Sequence, residues 1–189
     1  TGVIVWLDYT DPKKIGEQIR EFQTLLDKLR ENDIVRVTVN ASPTSLGSST
    51  RSDGSHLDRQ ELHEKRFGEI ERRIKEYLPS DAGPDDMDKD RLPILLARAF
   101  GRAASEALPL RGPTTFEPLS LIRYADGQQM LSMTGVISAR DRRDEMRAKV
   151  GVAHWPFGAV DWSDVHKLTV PDLTFRERLF LEQKIAVAA

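Results

Sequence analysis

Gly2-Val-Ile-Val-Trp-Leu-Asp8-Tyr9-Thr-Asp11 decides how the rest of the chain is read. Val3–Leu7 is an unbroken apolar, β-favouring run, the pattern of a strand covered on both faces. It ends in Asp8, and Asp11 with Pro12 then gives a helix N-cap followed by a first helical residue. Ile15, Ile19, Phe22, Leu26 and Leu29 recur at spacings of four, three, four and three, one helical face over four turns. Glu31-Asn32-Asp33 stops that helix, and Ile34–Val39 is a second β-branched run. Strand, helix, strand in under forty residues is a βαβ unit. Its crossover is right-handed and its strands parallel. Both strand exits, Asp8-Tyr9 and Asn40-Ala41-Ser42, then open on one edge of the sheet, where open α/β sheets collect ligands.

Further along, Pro43–Gly54 is rich in Ser, Thr and Gly, so residues 43–58 are expected to be loop. Residues 59–78 return to helix, with Leu62, Ile70, Ile74 and Tyr77 or Leu78 inward and a charge-dense, solvated outer face that includes Arg72 and Arg73. An acidic break occupies 79–92. Its Asp86-Met-Asp88-Lys-Asp90 copies half of a calcium loop but has Arg91 where glycine belongs and Ala97 where glutamate belongs, so loop acids are the default. Pro93–Leu108 is an alanine-rich, buried helix. Phe116–Tyr124 and Gln129–Ala139 flank Ala125-Asp126-Gly127-Gln128, a strong hairpin signal. Asp141–Val150 is a short basic helix whose face is expected to be solvated, although it could touch phosphate. Trp155 and Trp162 lie in irregular chain, expected to anchor it to the core. Thr174-Phe-Arg-Glu177 is a capping box opening a last helix to Ala188.

Composition bounds the class. The 189 residues are 39% hydrophobic and 31% charged with a formal net charge of -2, which suits one domain with a core. That balance gives no general drive toward nucleic acid or membrane, while local basic patches keep nucleic acid open as a partner. Cysteine is absent, which excludes disulfides, thiolate catalysis and cysteine-bound metal and suits a cytoplasmic protein. No window approaches the roughly 18 apolar residues of a membrane span, and there is no signal peptide. The chain starts with Thr1 and runs straight into a strand, which suggests that something upstream was removed.

The element order resembles the second half of a class I S-adenosylmethionine-dependent methyltransferase. In that family a fourth strand ends in an acidic motif, a helix and fifth strand follow, and an antiparallel sixth–seventh hairpin closes the sheet. Val3–Asp8, Ile34–Val39 and Phe116–Ala139 take those places, and Trp6-Leu7-Asp8-Tyr9 and Tyr124-Ala-Asp126-Gly127 are similar to words in bacterial O-methyltransferase-like proteins. The chain departs from the family in having no Gly-x-Gly-x-x-Gly-like stretch. The resemblance therefore implies a single α/β, Rossmann-like half domain over 1–189, without the N-terminal cofactor-binding part and inactive alone. It would carry the acceptor side of a site that uses S-adenosylmethionine in the complete protein, on an unknown acceptor. Asp8 and Tyr9 stand where the family presents residues to the acceptor, and Asp11, Asn40 and Ser42 are further binding candidates.

Two other classes use the same residues. Asp8 and Asp11 could hold magnesium in a phosphatase or nuclease, although Asp8-Tyr-Thr-Asp11 places its second acid one residue later than the phosphatase Asp-x-Asp-x-Thr pattern. A non-catalytic interaction module would instead use the free edge of the first strand to pair with another chain or a second copy.

Overall fold

The computed structural model describes residues 2–108, 112–169, 176–177 and 179–180. The last predicted helix, 174–188, falls largely outside them. The chain forms a five-stranded sheet in the order β1-β2-β4-β3-β5, with β1 Ile4–Asp8, β2 Ile34–Asn40, β3 Thr114–Asp126, β4 Gln128–Ala139 and β5 Val165–Lys167. β1 and β2 are parallel in the register Ile4↔Ile34 to Asp8↔Thr38. The hairpin return, β4, inserts antiparallel beside β2, with Ile34 opposite Val136. β3 then lies outside β4 and takes the short β5 as a parallel neighbour, a strand with no periodic signal in the sequence.

The β3–β4 turn falls on Gly127, whose φ of 76° lies in the left-handed region that glycine enters without strain. A three-residue helical turn, Pro12–Lys14, leads into α1, Ile15–Leu26. Asp58 opens α2, Arg59–Ile74, in a reciprocal capping box with Glu61. The sequence extends α2 to residue 78. Lys75, however, turns to φ 48° and ends the helix, so that Tyr77 reaches the core from a tight turn. α3 spans Leu92–Ala107 and α4 spans Arg143–Val150. No helix among the described residues is long and apolar enough to cross a membrane.

The core lies between one sheet face and α1–α3. Val35, Val37 and Val39 of β2, Leu131 and Met133 of β4, and Leu121 of β3 meet Ile19, Phe22 and Leu26 of α1 and Leu96 and Phe100 of α3. Phe22 joins the layers edge-on, 5.3 Å from Phe100 and 5.5 Å from Phe116 between ring centroids. α1 meets α2 at Gly16, where a Cβ would stand 2.2 Å from the Arg73 carbonyl oxygen.

One expectation fails here. β1 is not covered on both faces: Ile4 is 76% and Trp6 60% exposed. All three long helices pack on the face that Val35, Val37 and Val39 share, and β1 is an edge strand. Among the described residues its continuous apolar run therefore has a partner on one side only.

Candidate functional site at the strand rim

β1 and β2 run in the same sense, so their C-terminal ends open on one rim. Strand alternation then separates the two leading candidates. Asp8, opposite Thr38, shares the face of Trp6 and Arg36, away from the helices. It is exposed, and its carboxylate has no partner among the described residues. Tyr9 turns the other way. Its backbone N–H donates to the Thr38 carbonyl at 2.8 Å, and its hydroxyl donates to Glu21 Oε2 of α1 at 2.8 Å. Burial, then the Glu21 carboxylate, pushes the phenol above its ordinary range and keeps it neutral. The side chains of Asp8 and Tyr9 are not brought together.

The remaining candidates serve the turns around the rim. Asp11 Oδ1 accepts the Lys13 N–H, capping the helical turn as its spacing implies. Buried Asn40 donates to Gln128 Oε1 at 2.6 Å and accepts the Ser42 N–H at 2.9 Å. Ser42 Oγ meets Thr44 Oγ1 at 2.9 Å. Gln129 adds a tie by donating to the Ala41 carbonyl, and so fastens the second exit to β4. Of the five candidates, Asp8 alone makes no side-chain hydrogen bond to the described residues.

The residue that fixes the rim is one the sequence assigns to a solvated face. Arg73 has a side chain only 7% exposed. It donates to the Pro12 carbonyl at 3.0 Å, after β1, and to the Ser45 carbonyl at 3.2 Å, after β2. Its Nε meets Glu69 Oε1 at 2.7 Å. One guanidinium thus spans both strand exits. Its place between the inward Ile70 and Ile74 was the available signal.

Glu69 also takes Arg72, and these two arginines, Arg72 first, hold its carboxyl down at about 2. A carboxyl lowered on folding stabilises the protein above its ordinary value of 4.5, and that contribution fades as pH falls toward about 2. Denaturant midpoints measured between pH 5 and pH 2.5 should therefore fall more steeply in the native protein than in Glu69→Gln.

A second buried charge cluster lies behind the sheet. Glu117, with a side chain 5% exposed, binds Arg143 and Arg147 of α4 through Oε2, each at 2.7 Å. The basic helix is therefore pinned to β3 rather than wholly solvated. The two tryptophans also differ in role. Trp162 packs against Gly101 and stands 5.9 Å from the Phe116 ring, as a core anchor does. Trp155 is half exposed.

No three acidic or histidine side chains among the described residues converge as a metal site. The chain has no match among curated proteins. A family model described as "Putative O-methyltransferase" matches residues 1–189. This end-to-end match shows that the chain belongs to that O-methyltransferase family.

Proposed function

We propose that residues 1–189 supply the acceptor side of an S-adenosylmethionine-dependent O-methyltransferase site. The observation that carries this reading is the unpaired Asp8 carboxylate at the common rim of two parallel strands. A hydroxyl acceptor must lose its proton as its oxygen gains a methyl group. A carboxylate held at a strand exit can orient that hydroxyl and take the proton. Tyr9, tied to Glu21, would act as a fixed wall rather than as a second base.

The residues present do not by themselves fit the cofactor. The turn after β1, Tyr9-Thr10-Asp11, contains no glycine for close backbone approach. The Asp11 carboxylate already takes the Lys13 N–H there. The cofactor-binding part therefore comes from further chain, which adds its strands at the free edge of β1. Residues 1–189 alone would transfer no methyl group.

Calorimetry tests this reading. S-adenosylhomocysteine should bind a longer natural chain that includes the flanking sequence and give no heat with residues 1–189. Binding by residues 1–189 alone, or by neither protein, counts against the proposal. Magnesium binding that disappears in Asp8→Ala would favour metal-dependent hydrolysis instead. Silence in every titration would leave the interaction module, with the β1 edge as its contact.

A further inference from the structure

The rim that carries Asp8 continues along the sheet. β2, β3 and β5 run in the sense of β1, so Asn40, Asp126 and Lys167 end their strands on the same edge. At the far end of that edge a cleft of about 130 Å³ opens between the last residues of β3 and β5 and the first of β4. Arg123, Tyr124, Gln129, Lys167 and Leu168 line it, among others. The Leu168 N–H donates to the Arg123 carbonyl at 2.8 Å, which carries the β3–β5 pairing past Lys167 and fixes the outer wall.

Gln129 supplies an oriented acceptor. Its Nε2 donates to two carbonyl oxygens, Ala41 at 3.0 Å and Lys89 at 2.8 Å. Both partners can only accept, so the amide nitrogen must face them and Oε1 must face away. The main-chain oxygen of Gln129 also accepts the Ala41 N–H at 2.8 Å, which ties the residue to the second strand exit. No donor among the described residues reaches Oε1. This oxygen is held ready for a donor that a ligand brings.

Charge decides the other half. Arg123 has a side chain 16% exposed, pairs with Asp90 at 2.6 Å and donates to the Lys89 carbonyl at 3.1 Å, so its charge is matched. Lys167 is exposed, and no carboxylate among the described side chains pairs with it. The lining therefore holds an unmatched cation beside an acceptor oxygen. An anionic group with an N–H close by answers both. Size limits the occupant to an end group, because clefts that enclose a whole small molecule run to about 300–1,000 Å³.

We propose that this cleft is a subsite for the acid end of an N-acyl amino acid. Its carboxylate pairs with Lys167, and its N–H donates to Gln129 Oε1. β4 stands two inter-strand steps from β1, about 10 Å, so a ligand that also reaches Asp8 carries its hydroxyl about that far from the N–H. The subsite rests on the proposed function only for that hydroxyl. The acid end is read from Lys167 and Gln129 alone.

The probe is 4-hydroxyhippurate, a phenol joined through an amide to glycine. Calorimetry with the complete protein compares it with its primary amide, which lacks the charge, and with the ester analogue in which oxygen replaces the N–H. The acid should bind about tenfold more tightly than either, the scale of one partly exposed charged hydrogen bond. Lys167→Ala should bring the acid down to the affinity of the primary amide and leave that amide unchanged. Lys167 is exposed, so the variant keeps its fold, which circular dichroism checks. No heat from the acid, equal affinities for acid and primary amide, an ester analogue as tight as the acid, or a preference that survives Lys167→Ala overturns the subsite. Methyl transfer to the phenol is measured separately. Acid-selective binding without transfer counts against the proposed function and leaves the subsite standing. Transfer without acid selectivity does the reverse.

Discussion

Replacing Glu117 with alanine should cost about 3 kcal/mol of stability and release α4 from the sheet. The carboxylate is buried and holds two arginines from α4, and Oε1 also accepts the Thr115 hydroxyl at 3.0 Å. Without it, Arg147, 18% exposed, keeps only its bond to the Val160 carbonyl. Arg143 is 45% exposed and recovers most of its loss in water, which keeps the expected cost at the lower end for a broken buried pair. The wall formed by Val150, Val152 and Trp155 continues from α4, so the tryptophan emission should shift red as the wall loosens. Chemical denaturation of Glu117→Ala and of the double variant Glu117→Leu/Arg147→Met checks the cause. The double variant removes the stranded charge and should regain much of the loss. A double variant no better than the single one would mean that the ion cluster is not what holds α4.

Arg73→Met should have a comparable effect, about 3 kcal/mol, for a different reason. Methionine keeps the packing of the side-chain stem but removes three hydrogen bonds, to Pro12, Ser45 and Glu69. Glu69 retains Arg72, which limits the charge penalty. The two carbonyls after β1 and β2 lose their shared donor. Hydrogen exchange should therefore accelerate at residues 9–14 and 42–47 beyond the global loss of stability. Arg73→Lys, with no planar fork, should restore only part of the protection. Uniform acceleration across the sheet would show that Arg73 supports the fold without specifically holding the rim.

Local patterns in the sequence carried most of the fold. The β1–α1–β2 unit, the Asp11 cap and the Gly127 turn were legible because each depends on a few consecutive residues and a fixed period. The place of β4 between β2 and β3 was not, because hairpin insertion is decided by which sheet edge remains free. β5 was missed because three residues, Val165–Lys167, carry no periodicity. The apolar run in β1 misled for a related reason. Sequence shows that a strand has two apolar sides, but not whether the same chain supplies the cover for both.

The site was less legible than the fold. Asp8 could be nominated from its place at a strand exit, and its carboxylate has no partner among the described residues. Its separation from Tyr9 follows from strand alternation. Arg73 and Glu117 escaped notice because their partners lie far away in sequence. Arg73 reaches Pro12 across 61 positions, and Arg147 reaches Glu117 across 30. A charged residue in a charge-rich helix looks solvated until the opposing element is known.

The central claim is that the rim shared by β1 and β2 is the acceptor side of a methyl-transfer site. A structure of the complete protein with S-adenosylhomocysteine tests it most directly. The sulfur end of the ligand should lie at that rim, with the Asp8 carboxylate facing the space beyond it. A ligand bound at the β3–β5 side of the sheet, or Asp8 remote from the sulfur, would contradict the account.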